Sequence, residues 1–118
     1  LRNNELRQIT KDHSLVQEQL DQKLISPEDI STHSLKNVIL KAVGIKKVPG
    51  FDVIRGNLFS GDLFLLCTDG LTDLVTPRVI AKHLVSDIEL HEKVDLLIHE
   101  ANDRGGKDNI SVVLIQII

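Results

Sequence analysis

Several kinds of residue and pattern are scarce in this sequence, and each scarcity excludes a class of chemistry. A single cysteine, Cys67, stands among 118 residues, so no internal disulfide can form and no cysteine-based zinc site can be built from this chain alone. That usage fits a reducing, cytoplasmic setting. There is no basic excess either: the net charge is −3, with both signs interleaved along the chain. No stripe is left to neutralise a nucleic-acid backbone. Long apolar runs are missing, since the longest, Leu63 to Cys67, falls far short of the roughly 20 residues a bilayer requires. The first residues lack the charged-then-apolar pattern of a signal peptide. Neither nucleic acid nor a membrane is therefore an expected partner. Internal repeats, low-complexity tracts and linkers to a second domain are also absent. What is present, 42% hydrophobic and 26% charged residues, is the composition of a soluble globular protein, at a length that suits one domain and is too short for two.

Local patterns predict the elements. Asn3-Asn4, a pair tolerant of positive φ, precedes the spaced apolar residues Leu6 and Ile9 and reads as a hairpin turn. Only two residues of its first strand are present, which leads to the expectation that the chain once extended further upstream. Leu15, Val16, Gln19, Leu20 and Lys23 fall at helical spacing, with Asp12 or Ser14 available as the cap of a helix reaching about Leu24. Ser26-Pro27-Glu28-Asp29 starts a second short helix ending near His33. The run from Asn37 to Val43 leans towards strand, and Lys46 to Gly50 is loop material. Asp52 to Leu58 and Asp62 to Thr68 read as two strands joined by a turn at Ser60-Gly61. The second is nearly continuous apolar, which predicts cover on both faces. Thr76-Pro77 opens a helix with Val79, Ile80, His83 and Leu84 on its buried stripe. Leu90, Val94, Leu97, Ile98 and Ala101 repeat the pattern in a further helix, stopped at Gly105-Gly106. Ile110 to Ile118 closes the chain as a strand.

Two acids stand where a strand meets a turn: Asp69, before Gly70, and Asp108, after Gly105-Gly106-Lys107. Carboxylates at strand ends are held by rigid elements yet face outward, as a hard-cation site requires. If the two strands are neighbours, both acids reach one place, and a divalent cation between them offsets their mutual repulsion. All-oxygen ligands favour magnesium or manganese. The structural alternative is that both acids cap turns and helices. Asp73 reads as the cap of its own turn or as a further ligand, and Asp12 most simply caps the helix after it. The five histidines lack metal spacing: His91-Glu92 and His99-Glu100 are each without the second histidine of His-Glu-x-x-His. Gly105-Gly106-Lys107 lacks the upstream glycine and following Ser/Thr of a phosphate-binding loop, so it reads as a helix stop. Cys67, inside the apolar run, reads as a small buried hydrophobe rather than a nucleophile.

In combination these segments become specific. The run Gly61-Asp62-Leu63-Phe64-Leu65-Leu66-Cys67-Thr68-Asp69-Gly70-Leu71-Thr72-Asp73 and the run Gly105-Gly106-Lys107-Asp108-Asn109-Ile110-Ser111-Val112-Val113 resemble the two C-terminal motifs of type 2C metal-dependent serine/threonine phosphatases, in their usual order. Leu6 to Val16 resembles the middle motif of the bacterial branch. The resemblance spans nearly the whole chain and implies that residues 1–118 form the C-terminal portion of one phosphatase domain. It implies an α+β fold, part of a four-layer αββα sandwich of antiparallel sheets flanked by helices. It further implies that Asp69 and Asp108, with Gly70 as a neighbouring position, hold one of two manganese or magnesium ions. A water bridging the ions then attacks phosphoserine or phosphothreonine in line, without a phosphoenzyme. For the third, weaker metal of some relatives the matching positions are Asp12 and Asp69, with Asp73. Leu24 to Val43 matches the flap beside the substrate cleft. Phosphorylated proteins and a cognate serine/threonine kinase are the implied partners.

The departures from the family matter as much. The N-terminal motifs supply the aspartate bridging both metals, a glycine carbonyl, an acid on the second ion and a phosphate-binding arginine, and none has a counterpart here. The chain in isolation is therefore expected to be inactive. A non-catalytic phosphatase-like domain that binds or regulates a partner is the alternative. Asp69-Gly70-Leu71-Thr72-Asp73 also faintly echoes haloacid-dehalogenase phosphatases, but Cys67 occupies the place of their nucleophilic aspartate. Exposed sheet edges would favour pairing with another copy, so a dimer is one expectation, with the oligomeric state left open.

Overall fold

The structure is a computed structural model that describes residues 1–45 and 50–118. The expected loop at 46–49 lies outside the described residues. In chain order the elements are α1 (Leu15–Asp21), a 3-10 helix (Pro27–Thr32), β1 (Leu63–Cys67), α2 (Asp69–Thr72), α3 (Pro77–Val85), α4 (Leu90–Asp103) and β2 (Val112–Gln116). They fall into two compact units, the first made of Leu1–Arg7 with Gly56–Ile118 and the second of Gln8–Arg55.

In the first unit β1 and β2 pair antiparallel, from Leu63 opposite Gln116 to Cys67 opposite Val112. Backbone bonds extend the ladder at both ends: Gly61 N–H donates to the Ile117 carbonyl at 2.8 Å and Thr68 N–H to the Ser111 carbonyl at 3.1 Å. Directly opposed residues share a face, so Leu63, Leu65, Val112 and Leu114 point together. They pack on a core of Leu71, Val75, Ile80, Leu84, Leu97 and Ala101. Leu71, Val75, Leu97 and Ala101 are wholly enclosed, and a Leu so buried contributes roughly 2 kcal/mol by area. The other face carries Leu66, Val113 and Ile115, and all three are exposed. Cover on both faces of β1 was expected, but the two-stranded sheet is packed on one face only.

The helices follow their sequence signals. Thr76 holds the N-cap position before Pro77, and Ile80 and Leu84 are the buried residues of α3. In α4 the buried pair is Leu97 and Ala101. Gly105 and Gly106 end that helix at φ +118° and +48°, with Gly106 N–H closing on the Ala101 carbonyl at 3.1 Å. The N-terminal hairpin is present as well. Asn3 and Asn4 sit at φ +50° and +64°, and Arg2 and Glu5 exchange backbone bonds of 3.0 and 2.9 Å. Arg2 anchors the hairpin by donating two 2.7 Å bonds to the Asp62 carboxylate, with its guanidinium stacked on the Phe59 ring at 4.5 Å.

In the second unit Ser14, not Asp12, caps α1. Ser14 takes the extended conformation before the helix and its side chain accepts from Gln17 N–H, whereas the Asp12 carboxylate accepts from the Gln8 amide. The helix ends at Asp21 rather than Leu24, and Lys23 at φ +58° turns the chain away. Ser26 and Asp29 form the capping box of the 3-10 helix. The run from Asn37 to Val43 forms no strand. It makes isolated bridge contacts instead, among them Ile39 to Ser14, flanked by Leu15 N–H to the Val38 carbonyl and Leu40 N–H to the His13 carbonyl. Asp52 to Leu58 is irregular and exposed as well. A strand needs a neighbouring chain to satisfy its backbone, and among the described residues this segment has none.

Candidate functional site

The last ladder bond of β1, at Thr68, is followed at once by the single turn of α2. Thr68 is extended in its N-cap position, at φ −83° and ψ +163°. Asp69 is the first residue of the turn, where exposed amides favour a negative charge. Its carbonyl accepts the Asp73 N–H at 2.8 Å. Asp73 thus closes the turn through its backbone, and its side chain makes no capping bond among the described residues. Across from this turn the glycines after α4 release the chain into Lys107-Asp108-Asn109, where Asn109 N–H donates to the Asp108 carboxylate at 2.7 Å.

The two segments touch. A Cβ placed on Gly70 would stand 2.3 Å from the Asn109 carbonyl oxygen and 3.0 Å from its carbon, so only glycine allows this approach. The Thr68 hydroxyl donates to the Asn109 carbonyl at 3.0 Å and accepts from Ser111 N–H at 3.0 Å. Asp69 and Asp108 therefore leave adjoining segments, the neighbourhood that was only conditional in the sequence. Thr68, Asn109 and Ser111 hold those segments together, and no local pattern announced them. Asp73 lies one turn on, while Asp12 belongs to the second unit.

Further back the site is braced from α4. Arg104 donates to Glu100 at 2.8 and 2.7 Å and reaches the Leu74 carbonyl at 3.4 Å, while His83 lies 3.2 Å from Glu100. Arg104, and after it His83, holds the Glu100 carboxyl below the usual carboxylate range. In the second unit His13 lies 2.7 Å from Asp52, whose pKa is lowered by His13 first and then Lys41. Cys67 is exposed, contrary to the expectation of a buried hydrophobe. It is the last residue of β1, beyond the part that packs on the core, and its remaining desolvation pushes the thiol pKa up.

Asp69, Asp73 and Asp108 are exposed, and among the described residues none of them has an ion-pair partner. Their oxygens suit a hard cation such as magnesium or manganese. By donor chemistry the residues fit such an ion. By number they supply only part of a shell, since among the described residues no group of three or more His, Cys, Asp or Glu is placed to hold a metal. A hollow of about 380 Å³ lined by Arg2, Asn3, Phe59, Ser60, Gly61 and Asp62 lies at the opposite end of β1, where Asp62 already neutralises Arg2. Among the described residues no helix is long and apolar enough to cross a membrane.

No protein-family model matches the chain. Individual proteins do. The serine/threonine phosphatase stp of Listeria welshimeri is 43% identical over 116 residues, covering 98% of this chain and 46% of that protein. The solved structure of the Streptococcus agalactiae serine/threonine phosphatase superposes with a TM-score of 0.91 at 35% identity, covering 99% of this chain and 48% of that one. The catalytic domain of the phosphatase PstP, solved in complex with two manganese ions, gives a TM-score of 0.77 at 36% identity, covering 97% of this chain and 46% of that one. The chain thus spans about half the length of the curated relatives it matches. Its homologues are bacterial serine/threonine phosphatases of the PPM family, and the share matched fits the C-terminal half expected from the order of the motifs.

Proposed function

We propose that residues 1–118 form the C-terminal portion of a cytoplasmic protein phosphatase domain that hydrolyses phosphoserine and phosphothreonine in proteins phosphorylated by a cognate kinase. The observation that supports this reading is the seam between Thr68-Asp69-Gly70 and Asp108-Asn109, which brings together the backbone segments that carry two acids without an ion-pair partner among the described residues, in a chain whose homologues are phosphatases. Asp69 and Asp108 would hold manganese or magnesium, with Asp12 and Asp73 as the positions for a third, weaker ion. When bound, the ions supply a water of lowered pKa and neutralise charge on the transferred group. The chain's own part is to orient: the Asn109 amide fixes the Asp108 carboxylate, and Gly70 lets the α2 turn close on it. The open face at Leu66, Val113 and Ile115 supports the four-layer sandwich, in which a second sheet covers it. A second reading, a non-catalytic domain that binds or regulates a partner, is favoured by the shortage of ligands among the described residues.

The test is manganese-dependent hydrolysis of p-nitrophenyl phosphate by the protein at its natural length. Asp69→Asn and Asp108→Asn should each abolish it, and unchanged turnover in both sinks the assignment. Gly70→Ala, which drives a methyl into the Asn109 carbonyl, should lower turnover by about a hundredfold through displacement of the acids. The 118-residue chain alone should show no manganese-dependent hydrolysis, and measurable activity there would contradict the inference that the shell is completed elsewhere.

A further inference from the structure

Thr68 stands at the N-cap position of α2, yet its side chain makes no capping bond to that helix. The hydroxyl is turned to the facing segment instead. It donates its one proton to the Asn109 carbonyl at 3.0 Å and accepts the Ser111 N–H at 3.0 Å, while the Thr68 backbone N–H donates to the Ser111 carbonyl at 3.1 Å. A hydroxyl offers one donor and two acceptor lone pairs, and here both roles are used across the same seam. The reason lies in the register. The β1–β2 register ends at Cys67 opposite Val112, the main chain adds one more bond from Thr68 N–H to the Ser111 carbonyl, and beyond that it turns into α2. The hydroxyl replaces the missing rung. Without it the Asn109 carbonyl and the Ser111 amide lose this partner, and the Asn109 carbonyl is the group against which Gly70 is pressed. Asp69 follows Thr68 directly, and Asp108 directly precedes Asn109.

Resting on the proposed reading of Asp69 and Asp108 as ligands, we infer that Thr68 is a positioning residue: its hydroxyl sets the gap between the two carboxylate-bearing segments and thereby the affinity of the site for a divalent cation. The test uses the protein at its natural length and reads manganese affinity by isothermal titration, together with hydrogen exchange of the Ser111 amide. Thr68→Val keeps the shape and removes both bonds. It should weaken manganese binding by roughly tenfold, the scale seen when groups supporting a ligand are removed, and should speed exchange at Ser111 while the α4 amides stay protected. Thr68→Ser should restore affinity to within about twofold. Affinity in Thr68→Val equal to wild type, or no recovery in Thr68→Ser, overturns the inference. A Thr68→Val variant that merely lowers the melting temperature with manganese affinity intact does so as well. Asp69→Asn marks the separate failure: if it binds manganese as wild type does, or if wild type binds none, the ligand assignment falls and this inference falls with it.

Discussion

The two units of the chain have similar local signals and opposite outcomes. In the first, Leu71, Val75, Ile80, Leu84, Leu97 and Ala101 close into a core against one face of the sheet. In the second, Val16 is the one buried hydrophobic residue among those described, while Val38, Ile39, Leu40, Val43, Phe51, Val53 and Ile54 stay exposed. The second unit is organised by turns, a side-chain cap and ion pairs rather than by apolar packing. Apolar residues alone do not make a core. They need elements whose faces converge, and the first unit has α3 and α4 laid against a paired sheet, whereas the second has, among the described residues, a seven-residue helix, a short 3-10 helix and isolated bridges. Local opening should therefore be easy in the second unit and rare in the first, as the proposed ligand role of Asp69 and Asp108 would require.

The largest effect tests the core directly. Leu97 is wholly buried, and Leu97→Ala should cost about 3 kcal/mol in urea unfolding through lost contacts and a residual cavity. Val38 is 39% exposed, and Val38→Ala should stay within about 0.5 kcal/mol. Equal losses at the two positions would mean that the second unit has a core of its own and would erase the distinction.

The same contrast explains what could be read in advance. Helices α3 and α4 were legible because each signal is local: an apolar stripe, Thr76-Pro77 at one start and Gly105-Gly106 at one stop. The acids at Asp69 and Asp108 were legible as candidates by type and place. Their adjacency was not, since strand pairing joins residues far apart in sequence. The strands expected at 37–43 and 52–58 failed for that reason: β-branched residues favour extension, but a strand exists only where a neighbour accepts its bonds. Asp12 lost to Ser14 because both can cap, and the backbone places Ser14 at the helix entrance. Thr68 escaped notice because its hydroxyl serves a segment far along the sequence.

A smaller effect sharpens the boundary between the units. The Ser14 hydroxyl accepts from Gln17 N–H at 3.3 Å, and Ser14→Ala should destabilise α1 by about 1 kcal/mol. Amide exchange should quicken at Gln17 to Leu20 and stay unchanged at Leu97 and Ala101. If both sets quicken alike, the two units open as one and the comparison fails.

The last test is electrostatic and belongs to the first unit. Asp62 is 3% exposed and accepts from Arg2 Nε and Nη2 at 2.7 Å each and from Phe59 N–H at 2.8 Å. The Arg2 guanidinium first, then the Phe59 amide, holds its pKa at about 2, against about 3.9 for an unperturbed aspartate. Because the folded value is the lower one, the unfolded chain takes up the proton first as pH falls. The stabilisation is complete above about pH 4 and drains away towards pH 2. Asp21, Asp29, Asp52, Glu28 and Glu100 are depressed too and give a slope common to wild type and variant. The Asp62 share is thus the difference between them. Asp62→Asn should unfold at a urea midpoint that falls less steeply between pH 4 and pH 2 than wild type, with parallel behaviour above pH 5. Identical slopes throughout would show that the Arg2 anchor does not hold the hairpin to β1 in solution.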